Sequence, residues 1–310
     1  MTKIIALTGA TGFVGRHLLH TLASQGFIIK ALTRRPQPEL KNVIWVSGDL
    51  ENQSSLKELV ADADVIINVA GLVKAKNLDD FLDANANAIE NILNVIDSHK
   101  KPHFLQISSL AAREENISDY AFSKRQGEII LQSNTHQLPW TIIRPPGIYG
   151  PRDTETLKIF RMLNAGLALF PEDKNNRVSW ININDLITAI VYLMNNKNYF
   201  QKTLEIDDGN QNGYSHEEFY KTASEILSVS PFYITIPKFL LKLFGHINDI
   251  FGRIFNYAPM VSAKKVNEIC HSDWVCRKNN DFDINGWHAK IDLKTGLKET
   301  LDWYKNNEYI

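Results

Sequence analysis

Short apolar runs alternate with segments of helical periodicity along the first half of the sequence. The apolar runs have the length of buried strands: Lys3 to Thr8, Phe27 to Thr33, Val43 to Val46, Asp64 to Val69, His103 to Ser108 and Trp140 to Ile143. Between them, apolar positions at helical spacing predict helices over 12–25, 54–61, 79–99 and 120–133. Continuous apolar strands alternating with helices predict an α/β fold with a doubly wound parallel sheet covered on both faces.

The pattern changes after Pro151, where helical sequence carries only isolated strands near Val178 to Ile183 and Thr203 to Ile206. No long linker, repeat or low-complexity run separates the two halves. We therefore expect a first domain over 1–150 and a smaller, helix-rich lobe over 151–310, interleaved with the first and packed on it. A cleft between two such lobes is where a small ligand normally sits. Two capping boxes are also predicted, Ser55 with Glu58 and Ser215 with Glu218.

Composition excludes several classes of protein. The 310 residues carry a formal net charge of −1, which gives no electrostatic footprint for binding nucleic acid. Cys270 and Cys276 form neither a disulfide framework nor a zinc pattern, so we interpret them as reduced, buried thiols. Neither a signal peptide nor an apolar stretch of spanning length is found, and the histidines show no metal-binding spacing. We expect a soluble, cytoplasmic protein without a metal site.

A glycine-rich turn follows the first predicted strand and opens the first helix. It contains Gly9, Thr11, Gly12, Phe13, Val14 and Gly15. At such a junction, Gly9 can form the tight turn, Gly12 lets a pyrophosphate approach the backbone, and Gly15 lets helix and strand pack closely. The phosphates would rest on exposed amides at the positive end of the helix. The turn predicts a dinucleotide site and makes the sheet Rossmann-type.

The end of the second strand bears on the choice of cofactor. An NAD-preferring site offers a carboxylate there to the ribose 2′-hydroxyl, whereas this sequence has Thr33 followed by Arg34 and Arg35. A guanidinium binds phosphate bidentately, so the sequence favours NADP over NAD, with Arg34 the stronger candidate. The alternative is a solvated basic loop before Pro36.

Three residues form a candidate acid–base group. Ser109 ends the fifth strand, and Tyr120 and Lys124 lie four residues apart at the start of the next helix, on one face. A free phenol has a pKa near ~10, and a neighbouring ammonium favours its ionised form. We predict that Tyr120 transfers a proton while Ser109 hydrogen-bonds the reacting oxygen. Taken alone, the Tyr–Lys spacing is also typical of a surface helix pair.

Together these motifs resemble the extended or atypical short-chain dehydrogenase/reductase superfamily, also described as NAD-dependent epimerase/dehydratase proteins. The resemblance is clear over about residues 3–150 and weaker beyond. The segments that carry it are the glycine turn, Gly48-Asp49-Leu50, Asn68-Val69-Ala70-Gly71, Asn85 with Asn91, Ser108-Ser109, Tyr120 to Lys124, and Arg144 to Gly150.

The resemblance implies a role for each matching residue. Asp49 and Leu50 would border the adenine, Ala70 and Gly71 the central ribose and phosphates, and Lys124 the nicotinamide ribose. Ser109 and Tyr120 match the catalytic hydroxyl pair, and Pro145 and Ile148 match the stretch lining the nicotinamide. The resemblance is also compatible with a homodimer formed through long helices.

Two departures from the commonest pattern narrow the expected reaction. Only ten residues separate Ser109 from Tyr120, which puts a sugar-nucleotide substrate in doubt, and the Thr-Asp-Glu triplet resembling a dehydratase signature is absent. We expect an NAD(P)-dependent oxidoreductase or epimerase-like enzyme that transfers hydride between nicotinamide and a carbinol or carbonyl carbon of a small molecule. The alternative is a catalytically silent, NADP-binding accessory or sensor protein of the atypical type.

One amphipathic segment, residues 236–255, has no catalytic motif. Its apolar face carries Leu240, Leu243, Phe244, Ile247, Phe251 and Ile254, and its polar face carries Lys238, Lys242, His246, Asp249 and Arg253. Such a pattern most often means a helix packed on the body of the protein, which is our prediction. A helix on a membrane surface and a lid over a hydrophobic substrate are the alternatives.

Overall fold

The computed structural model describes residues 2–97, 99–134, 137–259, 261–277 and 284–310. Its chain divides into two compact units, residues 1–144 with 187–204 and residues 145–186 with 205–310. The elements up to Arg144 are β1 (Ile4–Thr8), α1 (Phe13–Ser24), β2 (Ile28–Thr33), β3 (Val43–Ser47), α2 (Gln53–Val60), β4 (Val65–Asn68), α3 (Leu78–Leu82), a π-helical segment (Asp83–Asn87), α4 (Ala88–Asn94), β5 (His103–Ile107), a 3₁₀ turn (Leu110–Glu114), α5 (Asp119–Gln132) and β6 (Trp140–Arg144).

The later elements are shorter strands between helices. They are β7 (Gly147–Tyr149), α6 (Thr154–Asn164), β8 (Leu167–Pro171), β9 (Arg177–Val178), β10 (Trp180–Asn182), α7 (Ile183–Met194), a 3₁₀ turn (Lys197–Tyr199), β11 (Lys202–Glu205), β12 (Tyr214–Ser215), α8 (His216–Leu227), β13 (Phe232–Ile236), α9 (Lys238–Ile254), α10 (Ala263–Ile269), β14 (Asp273–Trp274) and α11 (Leu293–Asn306).

A seven-stranded sheet forms the centre of the first unit. Its strand order is β11-β6-β5-β4-β1-β2-β3, and the pairs from β3 through to β6 are parallel. Strands such as β4 and β5 are buried along their whole length, which explains their continuous apolar sequence. The prediction of a Rossmann-type, doubly wound sheet is confirmed.

The second unit has small sheets and a helical core of its own. β7 pairs with β10, β8 pairs with β13, and β9 lies between β12 and β14. Its buried cluster includes Phe160, Phe170 and Leu297, with Tyr149 and Tyr304. Sequence periodicity predicted one strand from Val178 to Ile183, but Ser179 separates β9 from β10, so that strand is split between two small sheets.

Three local predictions are wrong. The N-cap of α2 is Asn52, whose side chain accepts from the Ser55 amide, so Ser55 lies inside the helix and the predicted capping box does not form. The helix predicted over 79–99 is interrupted by the π-helical segment and ends at Asn94. The apolar face of the 236–255 helix does not pack on the body; its six residues are 45–67% exposed. The capping box of Ser215 and Glu218 is confirmed, and Cys270 and Cys276 are reduced, buried thiols, as predicted.

Candidate active site

The strand order of the main sheet reverses between β1 and β4, the place where open α/β sheets bind ligands. Gly9 follows β1 with a φ of +69°, in the left-handed region that glycine adopts without strain. A Cβ on Gly9 would lie 2.7 Å from the Ala70 amide nitrogen, and a Cβ on Gly15 would lie 2.0 Å from the Gly9 carbonyl oxygen. Glycine at position 9 therefore lets the loops after β1 and β4 meet, and glycine at position 15 lets the start of α1 pack against the turn.

The start of α1 fits a pyrophosphate. Its N-cap, Gly12, supplies no side-chain hydrogen bond, and the first turn of α1 contains no acidic residue. Thr11 and Gly12 are exposed, while Phe13 and Val14 are half-buried. The first amides of α1 thus have no side-chain oxygen to cap them, and the positive end of the helix meets no carboxylate of its own first turn. This is the chemistry that a dinucleotide's phosphates require.

A buried row of polar side chains crosses the sheet beneath this site. Thr8, Asn68 and Gln106 are register neighbours at the carboxyl ends of β1, β4 and β5. The Thr8 hydroxyl donates to Asn68 Oδ1, and Asn68 Nδ2 donates to Gln106 Oε1 over 2.8 Å. The Ala70 amide in turn donates to Thr8 Oγ1 over 3.2 Å. The row fixes the loop at which Ala70 and Gly71 were predicted to meet the cofactor.

Asn85 connects that loop to α5. Its side chain exchanges two hydrogen bonds with the backbone of Leu72, at 2.9 and 3.0 Å, and donates to Ser123 Oγ over 3.0 Å. Asn85 lies in the π-helical segment, a distortion that is frequent at functional sites. A Cβ on Gly71 would lie 2.5 Å from Asn85 Oδ1 and 3.2 Å from Lys124 Nζ. The structure therefore brings Gly71 and Lys124 together.

Lys124 and Ser109 lie near the carboxyl end of β5. Lys124 is 7% exposed, and its Nζ donates to the Ile107 carbonyl, the last residue of β5, over 3.1 Å. Burial lowers the pKa of Lys124 to about 8, while the Glu128 carboxylate acts in the opposite direction. Ser109, two residues beyond Ile107, is half-buried and accepts the Ala111 amide over 3.2 Å.

Tyr120 lies one turn before Lys124 on α5, so the two side chains share a face of that helix. Tyr120 is half-buried, and its ring centroid lies 6.1 Å from that of Phe81. This arrangement can hold a phenol beside an amino group and can present both next to the loop that contains Gly71.

The buried carboxylate of Glu128 forms a hydrogen-bond network that supports the site. Glu128 is fully buried, and Arg144 contacts both of its oxygens, Nε to Oε1 at 2.8 Å and Nη2 to Oε2 at 2.5 Å. Ser108 Oγ donates to Glu128 over 2.6 Å, and Arg125 adds a bond of 3.0 Å. Glu128 thus joins α5 to the ends of β5 and β6. Sequence reasoning missed this network; the only available signal was that Glu128 follows Lys124 by one turn.

The predicted adenine and 2′-phosphate residues lie at the ends of neighbouring strands. Arg34 is exposed just after β2, and the Thr33 hydroxyl is used locally, donating to the Arg35 carbonyl over 2.6 Å. Asp49 Oδ1 accepts the amides of Glu51 and Asn52, at 3.0 and 2.9 Å. Leu50 packs on the buried cluster of the first unit, and its carbonyl accepts from Asn91 Nδ2. The Asn91 bond explains part of the Asn85 and Asn91 pattern, for which no role was predicted from the sequence.

The predicted nicotinamide-lining residues belong to the second unit. Pro145 is buried at its start, and Ile148 is half-buried on β7, in register with Ile181 of β10. Their role toward a cofactor stays a prediction.

Comparison with known proteins confirms the resemblance. Residues 5–206 match the model of the NAD dependent epimerase/dehydratase family. A ceramide reductase of Caulobacter vibrioides is 32% identical over 306 residues, which cover 97% of this chain and 94% of that protein. A UDP-glucose 4-epimerase of Vibrio cholerae is 24% identical, over 97% of this chain and 95% of that protein.

Solved structures share the fold. The UDP-glucuronic acid 4-epimerase of Bacillus cereus, in complex with UDP-glucuronic acid and NAD, has a TM-score of 0.73 and 18% identity, covering 99% of this chain and 100% of that one. At that identity the likeness shows the fold alone. The family match and the reductase relative show more: this chain is an enzyme of the NAD dependent epimerase/dehydratase family, a group that includes both reductases and epimerases.

Proposed function

We propose that this protein is a reductase that transfers hydride from NADPH to a carbonyl carbon of a long-chain lipid of the ceramide class. The observation that carries the proposed chemistry is the position of Lys124, whose Nζ lies 3.2 Å from where a Cβ of Gly71 would be. This proximity places the loop after β4, next to the glycine turn, beside the helix that bears Tyr120.

The proposed proton transfer uses three side chains. The bound cofactor supplies hydride to the carbonyl carbon. Tyr120 Oη donates its proton to the carbonyl oxygen, and Ser109 Oγ hydrogen-bonds that oxygen and polarises the bond. The positive charge of Lys124 stabilises the phenolate that Tyr120 becomes, and its amino group would hold the nicotinamide ribose. The product is the lipid alcohol, and Tyr120 regains a proton from solvent.

Residues of the glycine turn and of the strand ends are the proposed cofactor contacts. The glycine turn from Gly9 to Gly15 would hold the pyrophosphate, Ala70 and Gly71 would border the central ribose, and Asp49 and Leu50 would border the adenine. Pro145 and Ile148 would line the nicotinamide. In this proposal residues 1–150 bind the cofactor and residues 151–310 select the substrate.

NADP is the proposed cofactor because Arg34 directly follows β2, and residues 33–35 at this point contain no carboxylate that could bind a ribose 2′-hydroxyl. Replacing Arg34 with alanine tests this preference. We expect NADP affinity to fall at least about tenfold and NAD affinity to stay unchanged, since a guanidinium–phosphate pair is lost. Equal losses for both cofactors in calorimetry would refute the preference.

The proposed substrate class is supported by the full-length relative named a ceramide reductase. The short segment from Ser109 to Tyr120 also argues against a sugar-nucleotide substrate. The test is incubation of the full chain with NADPH and a keto-ceramide dispersed in detergent, with the product identified by mass spectrometry. A UDP-sugar serves as the comparison substrate. Tight NADP binding without turnover of either would instead favour the accessory or sensor protein.

A further inference from the structure

Most of the large exposed apolar side chains of the described residues lie in one short stretch, from Phe232 to Tyr257. Within α9, Leu243 is 57% exposed, Phe244 59% and Ile254 67%. The other exposed members on α9 are Phe239, Leu240, Ile247, Ile250 and Phe251. Monomeric proteins rarely expose a contiguous apolar surface of this kind unless it contacts a partner or a membrane. We call these eight residues the α9 apolar face.

The side of α9 opposite the α9 apolar face packs against the start of α10, and this packing determines the orientation of the helix. Gly245 and Gly252 are its buried residues, and a Cβ on Gly245 would lie 2.8 Å from the Ala263 amide nitrogen, at the start of α10. Between these glycines, Asp249 Oδ2 accepts that same Ala263 amide over 3.0 Å. Asn248 Nδ2 donates to the Val261 carbonyl over 2.9 Å. Because Ile247 lies about half a turn from Gly245 at 3.6 residues per turn, the apolar face points away from this packing.

Positive charge borders the α9 apolar face. Helical spacing places the cations Lys242 and Arg253 along one edge of it, with the His246 side chain between them. The remaining charged groups of α9 are engaged: Lys238 pairs with Glu172 at 3.7 Å, and the Asp249 carboxylate accepts a backbone amide. An apolar face with a basic edge is complementary to a bilayer that carries anionic headgroups, because the side chains enter the acyl boundary while the cations meet phosphate.

The length of α9 limits how this helix can contact a bilayer. α9 has 17 residues, and in the part of the chain that the structure describes no helix is both long and apolar enough to cross a bilayer. A helix of this kind lies in the plane of the interface, with its axis along the membrane surface.

We propose that α9 docks this protein on the surface of an anionic lipid bilayer, with the α9 apolar face inserted below the headgroups. The docking deepens the proposed function, because a ceramide-class lipid resides in a bilayer. Its physical basis is independent of Tyr120, Lys124 and the cofactor, so the two proposals can fail separately.

The test is vesicle co-sedimentation of the full chain, without cofactor or substrate. One vesicle population contains phosphatidylcholine alone, and the other contains equal parts of phosphatidylcholine and phosphatidylglycerol. We expect binding to the anionic vesicles that weakens as salt is added. The double variant Leu243→Gln with Ile247→Gln should bind them at least about tenfold more weakly. The matched control, Ile44→Gln with Ile129→Gln, changes two exposed apolar residues of the first unit and should bind as the unsubstituted protein does.

Three results would overturn the docking. The unsubstituted protein could fail to bind anionic vesicles, or the α9 double variant could bind as well as the control. Light scattering could also show an oligomer that the α9 double variant alone dissociates, which would mean that a second copy covers the face. Circular dichroism establishes that both variants are folded. Reduction of detergent-dispersed lipid without vesicle binding would reject the docking and leave the proposed function intact. Vesicle binding without reduction of the lipid would support the docking and reject the proposed function.

Discussion

The helices α5 and α9 depart from the ordinary rule of burial in opposite directions. α5 buries Ser123, Lys124 and Glu128, and each of these polar side chains is hydrogen-bonded. α9 buries two glycines and exposes nearly all of its large apolar side chains. Burying charge is costly unless it is paired, and exposing apolar area to water is unfavourable.

Each departure coincides with a place where a ligand or partner is proposed to bind. On α5, Ser123 and Lys124 lie beside Asn85 and Gly71, at the loop after β4 where a cofactor is proposed to bind. On α9 the exposed side chains lie beside basic residues, where a bilayer is proposed to bind. Positions that break local rules without an internal gain are the expected functional positions of a fold.

The largest expected effect is on turnover, from removal of the Tyr120 hydroxyl on α5. Tyr120→Phe removes the proton donor and should lower kcat about 10³-fold, because general acid–base catalysis contributes factors of this order. NADP affinity should stay within about twofold, since the hydroxyl acts on the substrate oxygen. Steady-state kinetics and calorimetry measure the two effects. Tyr309→Phe, at an exposed tyrosine, is the control, and comparable kcat values for both variants would remove Tyr120 from the mechanism.

Removing a partner of the buried Glu128 carboxylate on α5 is expected to lower the stability of the fold. Arg144→Met leaves the fully buried Glu128 without its bidentate partner and should lower the free energy of unfolding by about 3–5 kcal/mol. Arg125→Met removes the more exposed partner, whose side chain is 32% accessible, and should cost less than about 1 kcal/mol. Urea denaturation at neutral pH measures both. Equal costs would mean that Glu128 does not depend on Arg144.

Replacing Lys124 with an apolar residue is expected to raise the stability of the fold and to abolish turnover. The pKa of Lys124 in the folded protein is about 8, below its ordinary value of 10.5. The free-energy cost of burying the charged ammonium is therefore fully present below pH 8. This cost disappears as the pH rises toward 10.5. Lys124→Met should therefore raise the free energy of unfolding at pH 7 by about 2 kcal/mol, after the lost bond to Ile107 is counted. The gain should shrink above pH 8 and be lost before pH 10.5, because the missing bond to Ile107 remains a cost at every pH, and turnover should be abolished.

Thermal denaturation across this pH range measures the effect of Lys124→Met. Lys57→Met, at an exposed position, is the control and should show no such pH dependence. A destabilised Lys124→Met protein at pH 7 would show that the amino group supports the fold instead of straining it.

The smallest effect is expected from α9. Leu243→Gln with Ile247→Gln should change the free energy of unfolding by less than about 0.5 kcal/mol per residue, because both side chains already face water. Leu163→Ala, on α6 and fully buried, should cost about 2–5 kcal/mol in the same urea experiment. A large loss from the α9 pair would mean that the face is packed within the protein after all.

Much of the fold could be predicted because its signals are local. The apolar runs and the glycine turn depend on neighbouring residues, and the six strands predicted before Pro151 all form, each within about one residue of the predicted ends. The i,i+4 spacing of Tyr120 and Lys124 likewise follows from helix geometry alone.

The remaining features depend on contacts between distant residues. The sequence does not reveal that Glu128 is buried by Arg144, or that Asn85 lies in a π-helical segment that reaches Leu72. It also does not reveal which face of α9 packs, because two glycines and an aspartate provide that contact. An amphipathic pattern alone places the apolar face inward, and here that inference is wrong.

A crystal structure of the NADP complex is the most direct test of the proposed active site. We predict a hydrogen bond from the Lys124 amino group to the nicotinamide ribose, with the Tyr120 hydroxyl beside the ring and the pyrophosphate on the first amides of α1. A nicotinamide bound away from α5, with Tyr120 and Lys124 not touching the cofactor, would contradict the account.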